Sequence, residues 1–188
     1  MSYLVLVRRG SADAGAVKAI AVIGLILGLM LAFFCGHGYV IEGQPTWNTN
    51  LLPCAYLGTC LACGAFAFGL VWVFSGEGEL PGWMRTSVLA AAALSALSAL
   101  GYTVFLGSAA VAEPVLLWIG VAACAVLGTV AAAVAVWRGS AQSAKLACAV
   151  GLACAVVGGL SVRILMWVCA TGFVNLFAHT VPSVMMNL

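Results

Sequence analysis

Long stretches without a charged side chain alternate with short segments that hold nearly every polar one. No Asp, Glu, Lys or Arg occurs in 19–41, 43–76, 86–112 or 114–137. A bilayer hydrocarbon core about 30 Å thick takes about 20 apolar helical residues, so each of these segments predicts one spanning helix. The second begins with QPTWNTNLLP, whose two prolines and polar side chains predict a loop and helix start, leaving 51–74 for the membrane. A fifth apolar run starts at Lys145, passes Arg163 and reaches about Cys169. The pattern therefore predicts an all-α, polytopic bundle in a single transmembrane domain, with helices at about 19–39, 51–74, 86–106, 114–136 and 145–169. No segment shows the two-residue alternation of a barrel strand, and backbone groups in lipid must be satisfied within their own helix.

Composition supports this class. Hydrophobic residues make up 65% of the chain and charged ones 6%, against roughly a quarter charged in soluble domains. The formal charge of +2 comes from singly scattered basic residues, which excludes the clustered basic face of a nucleic-acid partner.

The cations also set the orientation. Arg8, Arg9, Lys18, Arg85, Arg138 and Lys145 all fall on the side of the N-terminus, whereas the loops at 40–50 and 107–114 carry no Lys or Arg. The positive-inside rule then places the N-terminus in the cytoplasm and the C-terminus outside. Arg163 follows Lys145 by eighteen residues. At 1.5 Å per residue that is ~27 Å up the fifth helix, near the outer edge of the hydrocarbon. There it either snorkels as an anchor beside Trp167 or faces the bundle and a docking surface.

Other polar groups gather at the same level. CGHGYVIEGQPTWN ends the first helix and sets His37, Tyr39, Glu42, Gln44 and Trp47 at the outer surface, with Glu113 in the other outer loop and His179 in the tail. Trp47 reads first as a member of the interfacial aromatic belt. His37, between Gly36 and Gly38, carries the one side chain type that trades protons near neutral pH, although an interfacial histidine without chemistry is the plainer reading.

Small residues recur every fourth position at Gly24 and Gly28, at Ala91, Ser95 and Ala99, at Gly120, Cys124, Gly128 and Ala132, and at Ala147, Gly151, Ala155 and Gly159. Such stripes predict closely packed helices. Of the eight cysteines, Cys60 and Cys63 form a CxxC inside the second helix, with no second pair to complete four ligands. Packing is the reading for all eight, and no metal or heme is expected in the chain. SGEGELPG, 75–82, lacks the strand and helix context of a phosphate loop.

Two segments resemble a known family. IEGQPTWNTNLLPCAYLGTCLACGAFAFGL, with Pro45, Thr46 and Trp47 entering a helix that carries Pro53 and Gly64, resembles the PTW loop and following helix of the dimethyl sulfoxide reductase membrane-anchor family (DmsC type), related to the NrfD and polysulfide reductase anchors. VVGGLSVRILMWVCATGF is similar to that family's final helix, in which an arginine and aromatic residues follow a glycine-rich turn. The family usually has eight helices. YLVLV at 3–7, followed by Arg8 and Arg9, looks like the cytoplasmic end of its third, so the chain is expected to lack the three N-terminal helices.

The resemblance implies a multi-pass subunit of the cell inner (cytoplasmic) membrane that anchors an iron–sulfur subunit and a molybdopterin catalytic subunit outside it, with menaquinol oxidised at the membrane, electrons passed to the clusters and protons released outward. The family's histidine and acidic quinol-site residues belong to helices absent here, so they do not carry over to His37 or Glu42. His37, Trp47 and Arg163 are the candidates for quinol binding or subunit docking, and no catalytic residue is assigned. The competing readings are a transporter or channel subunit, for which no predicted span has an ionisable group at its centre, and a degenerate structural anchor without quinol turnover.

Overall fold

A computed structural model describes residues 14–75, 79–109 and 115–170. Arg8, Arg9, Glu113, His179 and the YLVLV segment lie outside them. The described residues form helices and connecting turns, with no strand, and five helices are long and apolar enough to cross a membrane.

Helix α1 spans Ala14–His37, α2 Leu51–Phe74 and α3 Gly82–Ala109. The fourth crossing is composite: α4 at Val115–Gly120, a π-helical segment at Val121–Gly128, and α5 at Thr129–Arg138. Helix α6 covers Ala141–Val168. Helices α1, α3 and α6 and the fourth crossing each run past the expected span at the end that carries Lys18, Arg85, Lys145 and Arg138, because these cations and their neighbours continue the helix beyond the apolar core. Between α5 and α6 the chain breaks at Gly139, whose backbone is extended, and Ser143 Oγ donates to Ser140 O at 2.9 Å to start the next helix.

Helices α2, α3, the fourth crossing and α6 pack in a ring, each against the next and antiparallel to it. Helix α1 leans on α2 from outside. Only 6% of its apolar window is buried, against 28–44% for the other four crossings, so α1 is peripheral and the other four make the core. One end of the bundle carries Arg85, Arg138 and Lys145; the other carries Trp47, Tyr102 and Trp167. We call these the basic and the aromatic end.

Three of the four small-residue stripes are used. A side chain at Gly58 would strike Ser95 and Ser98 of α3, and one at Gly151 would strike the Phe66 ring. On the fourth crossing a Cβ at Gly128 would strike Cys154 of α6, and the closest approach to backbone is at Gly158, where a Cβ would collide with the Ala125 backbone of the π-helical segment. A neighbouring hydroxyl helps to satisfy the widened turns there: Thr129, fully buried, donates to Ala125 O at 2.6 Å. The stripe on α1 is not used in this way. Beta carbons added at Gly24 and Gly28 would meet nothing within 4 Å, whereas one at Gly36 would lie 2.5 Å from Pro53 Cα. Helix α1 therefore touches α2 at the aromatic end and diverges from it toward the basic end.

Candidate functional site at the aromatic end

After α1 the chain folds back in consecutive tight turns. Gly38 N donates to Phe34 O, Val40 N to His37 O, Gln44 N to Ile41 O and Trp47 N to Gln44 O, at 2.9–3.2 Å. This coils residues 38–50 into a lid over the end of the bundle. Pro45 suits such a path because it needs no hydrogen-bond acceptor.

The lid is pinned by two long-range hydrogen bonds. Trp47 Nε1 donates to Met166 O at 3.0 Å, and the Tyr102 hydroxyl donates to Thr46 O at 3.3 Å. Helix α6 ends at this level, where Cys169 N reaches Leu165 O and Ala170 N reaches Trp167 O, so the carbonyl of Met166 falls to the indole. Trp47 is 7% exposed, which corrects the reading of it as a belt residue: it is a buried cap on α6. Trp167, at 56% exposed, fits that belt role instead. Gln44 and Thr46 are also buried, and Gln44 Oε1 and Thr46 Oγ1 have no hydrogen-bond partner among the described residues.

Around the pin lies an aromatic cluster. Trp47 and Trp167 meet edge to face with centroids 4.9 Å apart, Tyr39 stands edge-on to both at 5.9 Å, and Tyr56 lies 6.1 Å from Tyr39. Such contacts add about 0.5–1.5 kcal/mol each beyond area burial, which gives the lid a fixed position.

Arg163 lies on the α1 side of this cluster. It is half-buried, and its guanidinium carbon is 4.7 Å from the centre of the Tyr56 ring. No described carboxylate lies within ion-pair distance of it. Arg163, Tyr39 and Tyr56 line the head of a groove of about 560 Å³, whose walls are Leu31, Ala32 and Cys35 of α1 and Cys60 of α2. The groove continues between α1 and α2 as a narrower trough of about 240 Å³, past Leu25, Leu29, Leu57 and Leu61. The splay of α1 at Gly24 and Gly28 opens this trough.

The structure thus brings Trp47 and Arg163 to the same end of the bundle, with Tyr39 and Tyr56 between them, but does not bring His37 into the groove. His37 is exposed and stacks on Phe33 of its own helix at 6.0 Å, with Phe34 edge-on at 6.4 Å. Tyr56 and Tyr102 were not singled out from the sequence. The signal available for Tyr56 is its spacing: Tyr56 and Phe74 are as far apart on α2 as Lys145 and Arg163 are on α6, and each pair frames the same seam.

Chemically, the groove offers one donor-only guanidinium and two phenols that donate or accept, set above a hydrocarbon-lined trough. That combination fits an amphiphile with an oxygen-bearing head and an apolar tail. All eight cysteines are free, and no group of three or more metal-ligating side chains occurs among the described residues. No family model matches the chain, and no curated protein or solved structure matches it.

Proposed function

We propose that the chain is a membrane-anchor subunit of a molybdopterin oxidoreductase of the dimethyl sulfoxide reductase type, holding the iron–sulfur and catalytic subunits at the aromatic end and supporting menaquinol oxidation there. The observation that carries the reading is the groove at Arg163. A quinol has a small head with two oxygens and a long isoprenoid tail, and the groove pairs hydrogen-bonding groups at its head with an apolar trough behind. Arg163 and the Tyr39 and Tyr56 hydroxyls bind and orient the head, while Leu25, Leu29, Leu57 and Leu61 accept the tail. The lid is the docking face, and the unpaired acceptors of Gln44 and Thr46 lie within it.

The groove contains no imidazole or carboxylate among the described residues, so a proton leaving the quinol passes to water or to a neighbouring subunit. The same observation favours a second reading, an anchor that holds its partners without turning over quinol. One experiment separates the two. The chain is purified with its associated proteins, iron is measured, and oxidation of a menaquinol analogue is followed for wild type, Arg163→Gln and His37→Ala. The redox-anchor reading expects iron in the assembly, at least a roughly tenfold loss for Arg163→Gln, and little change for His37→Ala. Iron without Arg163-dependent oxidation supports the structural anchor, and an assembly without iron overturns both.

A further inference from the structure

We propose that the basic end of the α2–α6 seam is a binding site for one anionic phospholipid of the adjoining leaflet. A second groove of about 540 Å³ lies there, remote from the first, lined by Leu70 and Phe74 of α2 and by Gln142, Lys145, Leu146 and Ala149 of α6. The α6 residues follow the spacing i, i+3, i+4, i+7 and so share one helix face. Along that face polarity falls with depth. Gln142 and Lys145 sit at the mouth, and Leu146, Ala149 and Leu70 lie deeper.

Charge identifies the headgroup. Lys145 Nζ stands 4.0 Å from the centre of the Phe74 ring, and no described carboxylate pairs with it. The ring occupies one side of the ammonium and leaves N–H donors for another partner. Arg85, another cation at this end, is already engaged: it reaches Leu80 O, Trp137 O, Gly139 O and the Glu79 carboxylate. Depth identifies the rest of the ligand. Phe74 is 64% and Leu146 69% exposed, so the groove opens sideways onto the bilayer at its edge, not onto water alone. A soluble acidic segment would match Lys145 but leave the apolar floor uncovered. A phospholipid places its phosphate against Lys145 and the Gln142 amide and lays one acyl chain over Leu146 and Ala149. This site is independent of the quinol reading, since it shares no lining residue with the outer groove.

The test is native mass spectrometry of the delipidated full chain, given equal amounts of phosphatidylglycerol and phosphatidylethanolamine. One phosphatidylglycerol is expected to be retained preferentially. Lys145→Gln should cut that preference about fivefold, the effect of one lysine at an anionic surface, and Lys145→Arg should keep it. Arg138→Gln, a cation at the same end outside the groove, should leave it unchanged. Ala149→Phe, which fills the floor, should lower retention of both lipids. An unchanged ratio in Lys145→Gln, an equal loss in Arg138→Gln, or displacement of the lipid by equimolar glycerol phosphate would each overturn the proposal.

Discussion

The two ends of the bundle meet the same problem with different donors. Each has a helix C-terminus whose last carbonyls lack partners within the helix. At the basic end Arg85 reaches from the start of α3 to Trp137 O and Gly139 O, both at 3.3 Å, at the end of the fourth crossing. At the aromatic end Trp47 reaches from the lid to Met166 O at 3.0 Å, at the end of α6. A charged fork serves one side and a neutral indole the other. The basic end can keep a guanidinium because Glu79 lies 3.6 Å away and the helix ends project past the apolar core. At the aromatic end the Trp47 cap is buried, and a neutral donor avoids the desolvation cost of a charge there. The difference isolates Arg163. It is the one cation of the aromatic end among the described residues, and it is not needed for capping, which leaves it available to a ligand.

Removing the neutral cap should have the largest effect on stability. Trp47→Ala deletes a buried indole, its hydrogen bond and its two ring contacts, with Tyr39 and Trp167, and is expected to cost about 3–5 kcal/mol in detergent unfolding measurements. Trp47→Phe isolates the hydrogen bond and should cost about 1–3 kcal/mol, because Met166 O is then buried without a partner. If Trp47→Phe is neutral, water or the backbone caps α6, and the parallel between the ends fails. The charged cap comes next. Arg85→Met keeps the apolar stem and removes every donor, for an expected loss of about 1.5–3 kcal/mol by the same measurement. Tyr102→Phe, which frees only Thr46 O, should cost about 1 kcal/mol.

These caps show where sequence reading stops. The crossings were legible because each depends on a local property, a run of about 20 residues without charge. The choice of face for α3 and α6 was legible for a related reason, since the stripes through Ser95 and Gly151 repeat at helical spacing. Trp47 was misjudged because its partner, Met166, lies 119 residues away, and nothing near Trp47 distinguishes a buried indole from an interfacial one. The unused stripe at Gly24 and Gly28 shows the converse: small residues permit close approach, but α1 comes closest to α2 at Gly36, beside Pro53 and Tyr56, and not along the stripe. The π-helical turns at Val121–Gly128 were likewise invisible, because they arise where the fourth crossing meets Gly158. At the site itself, Arg163 was legible as an oddity of composition. Its partner Tyr56 and the groove depend on how three helices converge.

The smallest stability effect is expected at the residue with the largest functional one. Arg163 makes one cation–π contact, at 4.7 Å from the Tyr56 ring, and no ion pair among the described residues, so Arg163→Gln should change unfolding by no more than about 0.5–1 kcal/mol. A residue with so small a structural role should matter only to what fills the groove. Affinity for a menaquinol analogue, followed by quenching of tryptophan fluorescence from Trp47 and Trp167, should therefore fall in Arg163→Gln while the melting temperature stays close to that of wild type. Arg163→Lys should recover only part of the affinity, because an ammonium offers a point charge where the guanidinium offers a planar fork. A large loss of stability in Arg163→Gln would mean that the arginine is a structural member of the α2–α6 seam, equivalent to Arg85 at the other end, and the contrast between the two ends would disappear.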